Sequence, residues 1–158
     1  MALETIQFAF KAATTFNLEE LRQRAGEPDG NHLFQSTLEI YKAYLEAHRD
    51  GEKFVAIHPD NHAVLELDDI ERLGRHKLMG IVTLTTDLES AHKMTKEFGQ
   101  ITTGGLLTRA FMLREQVVEA QEKGYKVGVW HTMEAKIDVF PDLIAPEQRQ
   151  RALNPLLN

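Results

Sequence analysis

Apolar positions along the chain change period several times, and the changes run through the same order twice. Apolar residues come close to alternating in "IQFAF" at 6–10 and "IVTLT" at 81–85, both rich in β-branched and aromatic residues, which predicts a short strand heading each half. Helical spacing takes over in "NLEELRQRAG", where Leu18, Leu21 and Ala25 share a face, and in "DLESAHKMTKEFG". Asn17 and Asp87 are expected N-caps, Gly26 and Gly99 expected C-caps. A longer second helix is predicted over residues 31–50, on Leu33, Leu38, Tyr41 and Leu45, and over 103–123, on Leu106, Ala110, Leu113 and Val117. Gly51 and Gly124 stop these helices, and the hairpins "KFVAIHPDNHAVLEL" and "KVGVWHTMEAKIDVF" follow.

The order strand, helix, helix, hairpin therefore recurs at an offset of 73 residues. At that offset "EAHRDGEKFVAIH" (46–58) and "EAQEKGYKVGVWH" (119–131) agree in five of thirteen columns. The same offset pairs Gly26 with Gly99, Leu33 with Leu106 and Asp69 with Asp142, and aligns apolar Leu21 with Met94, Leu38 with Phe111 and Leu45 with Val118. A duplicated unit accounts for this gap-free correspondence; the alternative is two unrelated helix–glycine–strand segments. The units divide as 1–78 and 79–158. "DDIERLGRHKLMG" (68–80) reads as a linker with a helical start, and "APEQRQRALNPLLN" as a last helix ending at Pro155.

A short strand followed by two helices cannot bury its own edge, and a second copy across a two-fold axis is its simplest partner. The stretches "LFQSTLEIYKAYLEAHRDGEKFVAIHPDNHAVLEL" and "LLTRAFMLREQVVEAQEKGYKVGVW" resemble the second helix and following strand of the ribbon-helix-helix DNA-binding family. The resemblance implies an α+β fold in which two ribbon-helix-helix-like units, each strand-helix-helix-hairpin, form an intramolecular pseudo-two-fold module. It also implies a DNA-binding transcriptional regulator whose two-stranded antiparallel ribbon lies in the major groove of double-stranded DNA. Carried onto this chain, the first strand buries Ile6, Phe8 and Phe10 and presents Gln7, Ala9 and Lys11. The second buries Val82 and Leu84 and presents Ile81, Thr83 and Thr85. Gln7, Lys11, Thr83 and Thr85 are the expected base readers. Asn31, expected as a helix cap, with His32, Thr102, Thr103 and Gly104, would meet phosphates at the second-helix starts. Unlike strands would read an asymmetric site. The competing expectation is a protein-interaction module of the same fold, antitoxin-like or accessory, with self-association through free edges of the terminal hairpins.

Composition narrows the field. A chain of 158 residues with 42% apolar and 27% charged residues can build one ordinary core or two small interlocked units. The net charge of −6 argues against binding polyanions by bulk charge, and its division places any anion-facing surface in the second half. Residues 1–78 carry 9 basic and 14 acidic side chains, net −5; residues 79–158 carry 9 and 10, net −1. With no cysteine, disulfides and thiolate chemistry are excluded, as suits a reducing cytoplasm. No apolar run reaches the length of a membrane span and no secretory leader is recognisable, so a cytoplasmic protein without membrane contact is expected.

Candidate chemistry is sparse. His58, Asp60 and His62 could approach one another across a turn, but the second unit keeps only His131 there, so a solvated turn and no metal are expected. Serine occurs only at Ser36 and Ser90, outside any nucleophile elbow, and no phosphate-binding loop is present; neither catalytic residues nor a cofactor are expected. Glu19/Glu20 and Asp68/Asp69 fit helix starts favoured by the macrodipole. Tyr41, Tyr44, Phe111 and Met112 fit a core, and Trp130 a place beneath the terminal hairpin.

Overall fold

A computed structural model describes residues 2–71 and 74–140. Its elements in chain order are β1 (Glu4–Ala12), α1 (Leu18–Ala25), α2 (Gly30–Arg49), β2 (Lys53–Ile57), β3 (Val64–Glu66), β4 (Lys77–Thr86), α3 (Glu89–Glu97), α4 (Thr103–Glu122), β5 (Lys126–His131) and β6 (Lys136–Val139). Among the described residues the chain is thus a mixed α+β protein with four helices and two antiparallel sheets. The expected terminal helix, and Arg72 and Leu73 of the expected linker, lie outside the described residues.

The 73-residue offset reappears in the element bounds. Adding 73 to 30 and 49, the ends of α2, gives 103 and 122, the ends of α4; adding it to 53 gives 126, the start of β5. Gly26, Gly51, Gly99 and Gly124 all have positive φ, between 67° and 90°, the left-handed conformation that ends each helix without Cβ strain. Asn17 caps α1 as expected, accepting from the Glu20 amide at 2.7 Å. Asp87 is not the cap of α3: Leu88 is, without a side-chain bond, while the Asp87 carboxylate accepts from the Glu89 amide at 3.0 Å.

Both sheets combine strands from the two halves. β1 and β4 pair antiparallel from Glu4↔Thr86 to Phe10↔Gly80, then continue as Lys11↔Leu78 past a bulge. These strands are 9 and 10 residues long, beyond the five-residue windows that sequence suggested, because polar residues on the outward face let pairing continue past the apolar stretch. At the other end the sheet order is β3-β2-β5-β6. The hairpins therefore do not keep the inner edges that sequence left free: β2 pairs with β5 from Lys53↔Trp130 to Ile57↔Lys126. Trp130 is only half-buried, with Lys53 Nζ 5.9 Å from its ring centroid, so it stacks under a cation rather than filling the core.

β5 and β6 approach so closely at Gly128 that a Cβ there would lie 2.3 Å from the Asp138 carbonyl oxygen and 2.8 Å from Val139 Cα. Gly128→Ala is expected to separate these strands. Hydrogen exchange should show lost protection in β6 while β2–β5 amides keep theirs; unchanged β6 protection would contradict the close approach.

The core lies between the ribbon and the second sheet. Phe8 and Phe10 point inward from β1 onto α4, Phe8 stacking on Phe111 with centroids 5.5 Å apart. Leu33, Phe34, Leu38 and Tyr41 from α2 meet Leu106, Leu107 and Leu113 from α4. Asp68 and Asp69 do not start a helix; both are buried in irregular backbone. Asp69 accepts the hydroxyls of Tyr41 and Tyr44, the latter at 2.9 Å, and Arg109 Nη1 lies 3.9 Å away. Burial, reinforced by the Asp69 charge, pushes both phenols well above their ordinary range.

Two further charges are buried on α4. The Glu115 carboxylate accepts from the Ala13 and Thr14 amides at 2.9 and 2.7 Å, the Thr14 hydroxyl at 2.8 Å and the Thr15 amide at 3.3 Å, fastening the turn between β1 and α1. Arg114, fully buried, has Nη2 3.6 Å from Glu27 Oε1, and no nitrogen of its guanidinium makes a hydrogen bond.

Candidate nucleic-acid interface

The outward face of the β1/β4 ribbon is built by alternation. Phe8 and Phe10 are buried and Ile6, Val82 and Leu84 half-buried against the helices, which turns Thr5, Gln7, Ala9, Ile81, Thr83 and Thr85 the other way. Across the strands these form the pairs Thr5↔Thr85, Gln7↔Thr83 and Ala9↔Ile81. Thr5 and Thr85 hydroxyls are 2.8 Å apart, and Gln7 Nε2 donates to Thr83 Oγ1 at 3.3 Å. Gln7, Thr83 and Thr85 are exposed where sequence placed them. Thr5 was missed because the five-residue window stopped at Ile6; extending the polar–apolar alternation one step back would have found it.

Lys11 departs from expectation. It is half-buried, lies beyond the bulge, and its Nζ is 3.2 Å from Glu71 Oε2, so it is not a free cation on the ribbon. Its register partner Leu78 is 61% exposed.

Each long helix begins beside the ribbon strand of the opposite half. α4 starts under β1: a Cβ on Gly104 would be 3.3 Å from the Gln7 carbonyl oxygen, and Thr108 Oγ1 donates to the Ala9 carbonyl at 2.8 Å. α2 starts beside β4, where Thr86 Oγ1 donates to Asn31 Oδ1 at 3.4 Å and a hollow of about 430 Å³ separates Asn31 and Phe34 from Leu84 and Thr85.

The two helix starts differ in charge. Thr102 caps α4 with a neutral oxygen that accepts from the Gly105 amide at 2.9 Å. Thr103, half-buried, uses its hydroxyl within the protein: His92 Nδ1 is 2.8 Å away and Thr95 Oγ1 3.1 Å, while His92 Nε2 reaches Glu4 at 3.1 Å. For α2 the cap is Asp29, not Asn31, because the helix opens at Gly30 and the Asp29 carboxylate accepts from the His32 amide at 2.8 Å. His32 Nδ1 is also 2.8 Å from that carboxylate. The His32 amide, then its ring, hold Asp29 below the usual carboxylate range, and the hydrogen bond to Asp29 raises His32 above the usual imidazole range. Asn31 and His32 are both exposed, but an anion approaching them meets a carboxylate that already occupies the helix start.

The first short helices carry the same contrast. At matched positions α1 has Glu19, Glu20 and Gln23, where α3 has His92, Lys93 and Lys96. Lys93 is partly offset by Glu89, 3.2 Å away.

Elsewhere, His131 bridges the halves, with Nδ1 2.7 Å from Glu52 and Nε2 2.7 Å from Asp138. These bonds, Glu52 first, raise it above the usual imidazole range. Its counterpart His58 stands edge-on to Tyr125, centroids 5.1 Å apart. Among the described residues no group of three or more histidines and carboxylates could hold a metal ion, and no helix is long and apolar enough to cross a membrane. Compared with known proteins, the chain has no match among family models, curated proteins or solved structures.

Proposed function

We propose that the chain is a ribbon-helix-helix pseudo-dimer on a single polypeptide, a cytoplasmic transcriptional regulator that places the β1/β4 ribbon in the major groove of double-stranded DNA. The observation that supports this most is the ribbon itself: corresponding strands of the two halves paired antiparallel, with a solvent-facing row that includes Thr5, Gln7, Thr83 and Thr85. A two-stranded ribbon matches the roughly 12 Å width of the major groove. Phosphate contact belongs mainly to the α4 start, around Thr102 and Gly104, where the cap is neutral and the first-turn amides favour an anion.

Retardation of a pooled duplex DNA library across salt concentrations tests the reading. Because few cations flank the ribbon, the log–log slope is expected to be shallow, no steeper than about −4. Absence of retardation at low salt would remove the proposal. The unlike faces of the two halves make the preferred site non-palindromic, and binding-site selection returning palindromes would remove the asymmetry.

A protein-interaction module of the same fold has one observation in its favour: the Asp29 carboxylate at the α2 start and the Lys11–Glu71 pair both reduce attraction for phosphate. It becomes the better reading if no DNA is retained.

A further inference from the structure

The chemistry of the outward ribbon row restricts which bases it can read, and this inference rests on the DNA-binding reading above. Guanine is usually recognised by a cation that donates to O6 and N7 together. Lys11, on the outward row, is held by Glu71, and the paired positions from Thr5 to Ala9 and from Ile81 to Thr85 are all uncharged. Besides the hydroxyls of Thr5, Thr83 and Thr85, which fit any base, the row offers one amide and an apolar pair. Gln7 uses one N–H on Thr83, which leaves its second N–H and its carbonyl oxygen, the groups that match adenine N7 and N6. One step along the ribbon, Ala9 faces Ile81, which is 62% exposed although it lies on a strand whose apolar neighbours turn inward. Leu78 extends this apolar end past the bulge.

An exposed isoleucine beside an alanine has one complementary group in the major groove, the C5-methyl of thymine. We infer that the ribbon reads A·T pairs: Gln7 takes an adenine edge, while Ala9 and Ile81 close over thymine methyl groups. Thr83 holds the Gln7 amide by one N–H and so limits the orientations from which it meets the base.

Replacing thymine by uracil removes the methyl and leaves base pairing intact. Selection from a random duplex library should enrich A·T pairs opposite the ribbon. Uracil at the thymines of the selected site should then weaken binding about fourfold per contacted methyl, the equivalent of one buried methylene. The Ile81→Ala variant, altered at an exposed position, should discriminate between the thymine and uracil duplexes less than the wild type, keeping only the part that Ala9 supplies, while retaining the wild-type salt slope. Equal binding of both duplexes by the wild type, or discrimination undiminished in Ile81→Ala, overturns the inference while leaving DNA binding in place. Enrichment of G·C pairs opposite the ribbon does the same. Failure to retain any duplex at low salt overturns the inference together with the reading on which it rests.

Discussion

Glu115→Ala is expected to lower stability by about 2–4 kcal/mol, since a hydrogen bond to a charged acceptor is worth roughly 1.5–3 kcal/mol and several are lost together. The carboxylate is 1% exposed and accepts from three consecutive amides and one hydroxyl, so its loss strands the buried Thr15 amide and leaves the donors of half-buried Ala13 and exposed Thr14 to whatever solvent reaches them. For a chain of this size the melting temperature should fall by roughly 10 °C. Glu115→Gln keeps one acceptor oxygen but introduces an amide NH2 donor beside the same donors, so it should lie between the alanine variant and the wild type. Urea unfolding of the three proteins decides the matter, and a loss below about 1 kcal/mol for the alanine variant would show that the Ala13–Thr15 turn finds solvent.

Arg114→Met is expected to act in the opposite direction. Burial lowers the guanidinium from the usual arginine range to about 10, only partly countered by Glu27, which makes the folded state a poor host for this charge by roughly 3 kcal/mol. Methionine fills similar volume without the desolvation, and Glu27, whose side chain is 17% exposed, keeps some contact with water. A gain of about 1–3 kcal/mol at pH 7 follows. The sign of the pH dependence is fixed by which state binds more protons. Below about 10 both folded and unfolded Arg114 are protonated and the wild-type deficit is constant. Above about 10 the unfolded chain still holds the proton that the folded chain has released, so wild-type stability rises relative to Arg114→Met and the gap narrows. Urea midpoints at pH 7 and pH 11 test both parts. A variant less stable than wild type at pH 7 would mean that attraction to Glu27 outweighs desolvation.

Local signals carried most of the fold. Helix-stop glycines, apolar spacing and the gap-free offset placed α2 and α4 to within a residue or two, and the two-residue period oriented the ribbon. What stayed hidden depends on partners distant in sequence. Asp68 and Asp69 looked like a helix start because the hydroxyls that make the burial of Asp69 tolerable, from Tyr41 and Tyr44, come from more than 20 residues away. Lys11 looked like a free cation because Glu71 lies 60 residues downstream. Pairing of β2 with β5 could not be read from either hairpin alone, since edge compatibility leaves no local mark. The α2 cap was misassigned for a local reason: "PDGN" contains two competent cap residues, and the choice turned on Gly30 entering the helix. On the candidate interface, alternation gives the ribbon faces, but residue type alone does not show that the Thr103 hydroxyl is bound by His92 and Thr95 or that Asp29 rather than Asn31 caps α2.

The pairing of both sheets across the halves also sets an order of events during synthesis. β1 is finished early, yet its partner ends at Thr86, and β2 must wait for β5, which ends at His131. At the usual 5–20 residues per second the first half spends several seconds with Phe8, Phe10 and an unpaired strand edge uncovered. Closure then joins residues 65 to 82 positions apart, which makes folding slow relative to helix formation. Nascent chains interrupted before β4 therefore carry an unpaired strand edge open to pairing with other chains.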